Sequence, residues 1–196
     1  MKHFIYFSKS AITSGNLLSK AKGNLMKAGR MDIVIHSLIA TFFLSHSVRE
    51  NVKLHLIFYG PPDAPKHIEI QVNDELEISK KDIANLIKKI LYKYKPGKKT
   101  QPLKGCFIEK KSFLKVVEEL IEEGKEIFIL DKKGKDIRKI NIPEDSVFIV
   151  GDQEGLPKKE LKKLKKITEK ISIGPKTYFA SQTITILNNE LDRRNL

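Results

Sequence analysis

Apolar residues recur along this chain with two periods, and the change from one to the other marks its elements. HFIYF, residues 3–7, reads as a short strand. VKLHLIFY, residues 52–59, alternates and then turns continuously apolar, which predicts a strand ending at the turn GPPDAP. HIEIQV, residues 67–72, predicts another, more exposed strand. Between the first two, MDIVIHSLIATFFLS, residues 31–45, is apolar nearly all round except for Ser37, Thr41 and Ser45 at spacing four. That pattern predicts a buried helix whose stripe of small residues lets another backbone approach closely. KDIANLIKKILYKY, residues 81–94, predicts an amphipathic helix with Ile83, Leu86, Ile87, Ile90 and Leu91 on one face, stopped by Pro96-Gly97. The polar segment from Ser8 to Gly29 is too long for a plain connection, and loops of that length tend to be functional or disordered.

The second half keeps a tighter rhythm. A helix SFLKVVEELIEEG ends at Gly124, and then come strand EIFIL, turn DKKGKD, strand SVFIVGD, helix PKKELKKLKKI, strand KISI and a last helix reaching about Arg193. Strands that alternate with helices predict an α/β fold, a mainly parallel sheet with helices on both faces. A length of 196 residues fits one domain.

Charge narrows the list of partners. The formal net charge of +13 favours a polyanion, and its distribution is uneven. Nothing acidic precedes Asp32, although Lys2, Lys9, Lys20, Lys22, Lys27 and Arg30 do. A second acid-free stretch, Ile83 to Ile108, holds Lys88, Lys89, Lys93, Lys95, Lys98, Lys99 and Lys104, with Tyr92 and Tyr94 interleaved. Two such zones suit the phosphates of a folded RNA. The lysine-rich helix 158–166 reads instead as a solvated face. No apolar run approaches the roughly 18 to 20 residues needed to span a bilayer, and no secretory signal opens the chain. A soluble, cytoplasmic protein that uses no membrane is expected. Cys106, the only cysteine, excludes an intrachain disulfide and a cysteine zinc cluster, and is expected to be a small buried hydrophobe.

The candidate chemistry lies at strand ends. In open α/β sheets ligands gather at the carboxyl ends of strands. Three such ends are Leu130-Asp131, the GDQEG loop from Gly151 to Gly155, and IGPKTY from Ile173 to Tyr178. Their glycines let backbone approach a flat ligand, and turn N–H and C=O groups can read an adenine edge. GxGxxG and GxxxxGK[ST] are both absent, so neither a dinucleotide fingerprint nor a P-loop is available. His3, His36, His46, His55 and His67 have no paired ligand spacing, and no serine sits in a G-x-S-x-G context, so metal and serine hydrolase chemistry are disfavoured and no metal is expected. Asp32, following AGR at the head of the buried helix, and Asp152, in the glycine loop, are the acids placed to matter.

Taken in order, KAGRMD heading a helix that ends in FFLSHSVREN, then YGPP, FILD, VFIVGDQEG and SIGPKTYFASQTITILNNELDR, this chain resembles the TrmY family of the SPOUT methyltransferase superfamily. The resemblance spans nearly the whole chain, and the last block is its most specific part. It implies a SPOUT-type domain over residues 1–196 with a C-terminal trefoil knot and a cofactor half at about residues 105–196. It implies a homodimer that uses S-adenosyl-L-methionine to methylate N1 of a pseudouridine in the T arm of tRNA. Leu130, Gly151, Ile173, Gly174, Pro175, Lys176, Thr177, Tyr178 and Thr183 would line the cofactor site. Ala180, Ser181 and Thr183 would be small where the last helix threads past backbone and meets a partner, with Ala180, Ile184, Leu187 and Leu191 as its apolar face. The chain departs from the family at Thr183, Gln153 and Asn51, where cysteine, histidine and aspartate are usual.

Pseudouridine N1 carries a proton that must leave. Arg30 is expected to orient RNA or stabilise the anionic base, and Asp32 either supports Arg30 or accepts the proton. Lys98 and Lys99 are expected to touch phosphate. Two other readings stay open: a SPOUT enzyme acting on ribosomal RNA pseudouridine, and a structured-RNA-binding protein without catalysis.

Overall fold

Strand β1 (Lys2–Ser8) is buried at every position, because it lies at the centre of the sheet between two apolar layers. The structure, a computed structural model, describes residues 1–73, 76, 78–164 and 168–196. After β1 come α1 (Gly15–Lys20), α2 (Met31–Phe42), β2 (Val52–Phe58), β3 (Lys66–Gln71) and α3 (Ile83–Tyr92). They are followed by β4 (Thr100–Leu103), β5 (Cys106–Glu109), α4 (Phe113–Glu122), β6 (Glu126–Asp136) and β7 (Ser146–Gly151). The chain ends with α5 (Lys158–Leu164), β8 (Glu169–Ser172) and α6 (Ala180–Arg193).

The eight strands form one sheet in the order β4-β5-β3-β2-β1-β7-β6-β8. β1 runs parallel to β2 and β7, and β6 runs parallel to β7 and β8, while β3, β5 and β4 complete the other edge antiparallel. Alternation divides the core into two layers. Phe4 and Tyr6 join the layer under α1, α2, α3 and α6, and Ile5 and Phe7 join the layer under α4 and α5. In α3 the same five apolar residues that mark its helical period are the buried ones. Ser37 and Thr41 are buried, and where α2 meets α6 Asn188 Nδ2 donates to the Ala40 carbonyl at 3.0 Å. Ala180, Ile184, Leu187 and Leu191 bury the inner face of α6.

Several expectations change. Residues 100–109 form a hairpin, β4 and β5, that the sequence hides because its strands are four residues each and the first contains Pro102. β3 is mostly buried rather than exposed, since Lys66 and His67 turn into polar partners instead of solvent. DKKGKD is no simple turn: β6 continues to Asp136 through a register break, and Ile171 of β8 pairs with both Leu130 and Lys135. The segment Ser8 to Gly29 contains α1, capped by the Ser14 side chain accepting from Leu17 N–H. Ser45 lies past the end of α2 and is exposed, so the small stripe stops at Thr41. Lys165, Lys166 and Ile167 of the lysine-rich helix fall outside the described residues. Among the described residues no helix is long and apolar enough to cross a membrane.

Candidate active site

The loop that follows β8 folds back over the carboxyl end of β6 and encloses a cavity of about 280 Å³. Leu130, Ile173, Gly174, Lys176, Thr177, Tyr178 and Thr183 line it, together with Asp131, Lys132, Ile171 and Ser172. Pro175 and Gly151 are not among its lining residues; Gly151 ends β7, on the far side of β6. The loop is built locally. Gly174 has φ +154°, and a side chain there would meet the Tyr178 hydroxyl at 3.0 Å, so glycine lets the loop close upon itself. The Ser172 hydroxyl donates to the Gly174 carbonyl at 3.0 Å and lies 3.2 Å from the Gly174 N–H. Gln182 then accepts from the Phe179 N–H at 3.0 Å and starts α6. Leu130, Ile171 and Ile173 give the cavity apolar lining beside the turn at Gly174, an arrangement that suits a flat, uncharged ring.

At its entrance Asp131 is held in place. One of its oxygens accepts from the Lys133 N–H at 3.0 Å and the other pairs with Lys170, whose hydrogen bond holds this carboxyl below the usual carboxylate range.

Arg30 and Asp32 stand apart from this cavity, at the head of α2. Arg30 caps the helix in a left-handed conformation, φ 61°, and its guanidinium grips Asp32 with both nitrogens, Nε to Oδ1 at 3.1 Å and Nη2 to Oδ2 at 2.9 Å. The Arg30 hydrogen bond keeps the Asp32 carboxyl below its ordinary range. Asp152 is 9% exposed and occupied as a staple between strands: Oδ2 accepts from the Ser8 hydroxyl at 3.1 Å and the Lys9 N–H at 2.8 Å, and Oδ1 accepts from the Glu154 N–H at 2.9 Å. Gln153 is exposed, and the Asn51 carbonyl accepts from the Lys2 N–H at 3.2 Å.

The lysines of the two acid-free zones divide into engaged and free. Lys2 is buried and donates to the Leu196 carbonyl, and Lys9 pairs with Glu154 at 2.6 Å, so neither is free for phosphate. Lys99 pairs with Glu69 at 3.5 Å and lies over the Phe107 ring, whereas its neighbour Lys98 is exposed. Cys106 is fully buried, and burial pushes its thiol up to about 12, as a core residue.

Sequence spacing missed a row of histidines, because their closeness depends on strand neighbours. His3 Nδ1 lies 3.0 Å from His55 Nε2, His55 Nδ1 lies 2.9 Å from His67 Nε2, and His67 Nδ1 lies 3.1 Å from Glu109 Oε1. Ring centroids are 5.3 and 5.2 Å apart in nearly parallel planes, which is the N···N distance plus the reach from each ring centre to its nitrogen. The rings therefore meet edge to edge. Glu109 accepts, so each imidazole donates from Nδ1 and accepts at Nε2 along the row. His55, His67 and Glu69 have ligand atoms within 4.8 Å of one another, yet the two facing imidazole nitrogens share a proton and cannot both reach an ion.

Comparison with known proteins agrees with this architecture. A family model described as "Putative SAM-dependent RNA methyltransferase" matches residues 1–196. The chain is 32% identical to a tRNA (pseudouridine(54)-N(1))-methyltransferase of Methanocaldococcus jannaschii, covering 100% of this chain and 98% of that one. It is 34% identical to the protein of that name from Methanococcus aeolicus, with 100% of both chains covered. The crystal structure of Archaeoglobus fulgidus Nep1 bound to S-adenosylhomocysteine shares the fold, with a TM-score of 0.66 at 13% identity over 99% of this chain and 98% of that one. A family match over the full length and relatives above 30% identity place this chain in the family of S-adenosylmethionine-dependent RNA methyltransferases.

Proposed function

We propose that the chain methylates N1 of pseudouridine 54 in tRNA, using S-adenosylmethionine, as its relatives from two methanogens are named. The observation that carries this reading is the cavity between Leu130 and the loop from Ile173 to Tyr178, whose apolar walls and backbone rim fit an adenosine. When bound, that cofactor supplies a methyl group on a cationic sulfur. The protein must then align three atoms and release one proton to solvent water: the N1–H bond and the bond from sulfur to the methyl carbon would break, an N1–C bond would form, and the sulfur would leave neutral. Arg30 orients the RNA and stabilises the base as N1 loses its proton. Asp32, gripped at both oxygens, holds Arg30 rather than accepting that proton, since a carboxyl with a lowered pKa and no free oxygen is a poor base.

We further infer a single domain whose cofactor half begins near residue 105, as all the lining residues of the cavity lie beyond it. A homodimer is supported by a groove of about 600 Å³ between α2 and α6, rimmed by Phe43, Leu44, Thr185 and Asn189. The trefoil knot is supported by the double pairing of Ile171, which puts Leu130 and Lys135 on its two flanks and passes Asp131–Gly134 over the strand. The decisive experiment compares a tRNA transcript carrying pseudouridine at that position with the unmodified transcript. Uridine N1 is bonded to ribose, so methyl transfer is expected to the first and not to the second. Mass spectrometry of digested nucleosides reads the result, and comparable methylation of both transcripts overturns the substrate.

A further inference from the structure

The two acid-free zones are far apart in the chain and adjacent in the fold. α1 packs directly on α3, with Gly15 against the Tyr92 ring and the Lys88 carbonyl. A side chain on Gly15 would come within 2.7 Å of the ring, so the contact requires glycine. At the other end of the ring the Ser19 hydroxyl lies 3.0 Å from the Tyr92 hydroxyl. The tyrosine is thus fixed along its length, yet 48% of it stays exposed, which is unusual for an aromatic side chain already supplied with packing and a hydrogen bond. At and just past the C-terminal ends of the same two helices Lys20, Lys22, Lys93 and Lys95 are exposed, and among the described residues none of them meets a carboxylate. Elsewhere Lys9, Lys110 and Lys125 pair with carboxylates.

We propose that α1 and α3 form the docking platform for the substrate RNA, with Tyr92 stacking on an unpaired base while Lys20, Lys22, Lys93 and Lys95 hold flanking phosphates. An aromatic ring fixed before binding loses little freedom when a base settles on it, and every base has a face to offer. The absence of acid across both zones leaves the field around that ring positive, which suits a polyanion. The same acid-free segment runs on in sequence through Lys27 to Arg30, the residue proposed to orient the base. The inference rests on the methyltransferase reading only in its choice of tRNA as ligand.

The test measures binding of a tRNA transcript by fluorescence anisotropy over a range of salt, with cofactor affinity by calorimetry on the same samples as a control for folding. The variant K20Q/K22Q/K93Q/K95Q is expected to bind at least about 10-fold more weakly and to lower the log–log salt slope by roughly 3, at about 0.7 to 0.9 per phosphate contact. Tyr92→Leu, which keeps an apolar contact with Gly15, is expected to weaken binding about 10-fold with the slope unchanged, and Tyr92→Phe to stay within about 2-fold. The charge-matched control K158Q/K159Q/K162Q/K163Q on α5 is expected to change affinity by less than about 2-fold. Equal losses from both lysine sets, wild-type affinity in Tyr92→Leu, or competition by polyglutamate as effective as by tRNA overturns the platform. Should Tyr92→Leu fail to bind cofactor, the four exposed lysines decide alone. A wild-type protein that methylates tRNA while the α1–α3 variant binds it normally sinks the platform and spares the enzyme; the reverse result, binding lost on cue but no methylation, does the opposite.

Discussion

Arg30 and Asp32 form a two-point ion pair, and the role proposed for it has a kinetic signature. Removing a general base typically costs 100- to 10,000-fold, whereas loosening a positioning contact costs less. Asp32→Asn is expected to lower kcat/KM about 10-fold with no change in the pH profile, and Arg30→Ala with Asp32→Asn to be no worse than Arg30→Ala alone, as a double-mutant cycle of initial rates would reveal. A loss above 1,000-fold with a shifted acid limb would make Asp32 the base after all. The Tyr6 hydroxyl offers a second test. It is buried without a hydrogen bond of good geometry among the described residues, and burial, with Asp152 nearby, drives its pKa upward against the opposing influence of the Ser8 hydroxyl. Deleting an unsatisfied buried hydroxyl removes a desolvation cost, so Tyr6→Phe is expected to leave the melting temperature unchanged or raise it by a few degrees. A drop worth more than about 1 kcal/mol in denaturant titration would mean the hydroxyl has a partner. At this scale most residues named from motif for the cofactor site line the cavity, Gly151 and Pro175 excepted, and support of Arg30 was one of the two roles the sequence offered Asp32; the left-handed turn that brings the pair together is announced by no spacing.

Helices with one clean apolar face were legible. Both α3 and α6 bury the positions their period marks, because each leans on the sheet along one stripe. α1 and the β4–β5 hairpin were not, being too short for a period to develop and depending on neighbours for their burial. The outer face of α6 carries the prediction proper to this scale. Thr185 and Asn189 are exposed on the side opposite Leu187, bordering the groove shared with α2. Thr185→Asp is expected to raise the dimer dissociation constant at least about 10-fold in sedimentation, since a charge there must be desolvated against its own copy. A wild-type protein that sediments as a monomer at micromolar concentration removes the homodimer altogether.

For the molecule as a whole, the parallel order of the strands followed from their alternation with helices, whereas the antiparallel edge and the histidine row are products of register between strands that are distant in sequence. That row sets the acid limit of stability. Burial, with Lys125 and Lys53 adding to it against Asp145, lowers His3 to about 4, and burial lowers His55 as well. A histidine whose folded pKa lies below its unfolded value of about 6.5 binds more protons when unfolded, so its contribution is complete above about pH 6.5 and is lost as pH falls toward 4. Glu109 follows at lower pH: burial opposes its ionisation, but hydrogen bonds from His67 and Lys111 outweigh that and bring it to about 2. Melting temperature is therefore expected to decline already between about pH 6.5 and 4.5, before the carboxylates titrate, and His3→Gln to flatten that first decline. A flat melting curve across that interval would mean the imidazoles are solvated. The double pairing of Ile171 bears on a different hazard. β8 is last in the strand order, where a sheet normally exposes a row of unpaired amides to any passing chain. With Leu130 on one flank and Lys135 on the other, that margin is already occupied by the protein's own backbone, and it is closed by residues rich in lysine. On this side the molecule resists growth into fibrils through the same register break, without a barrel or a covering helix.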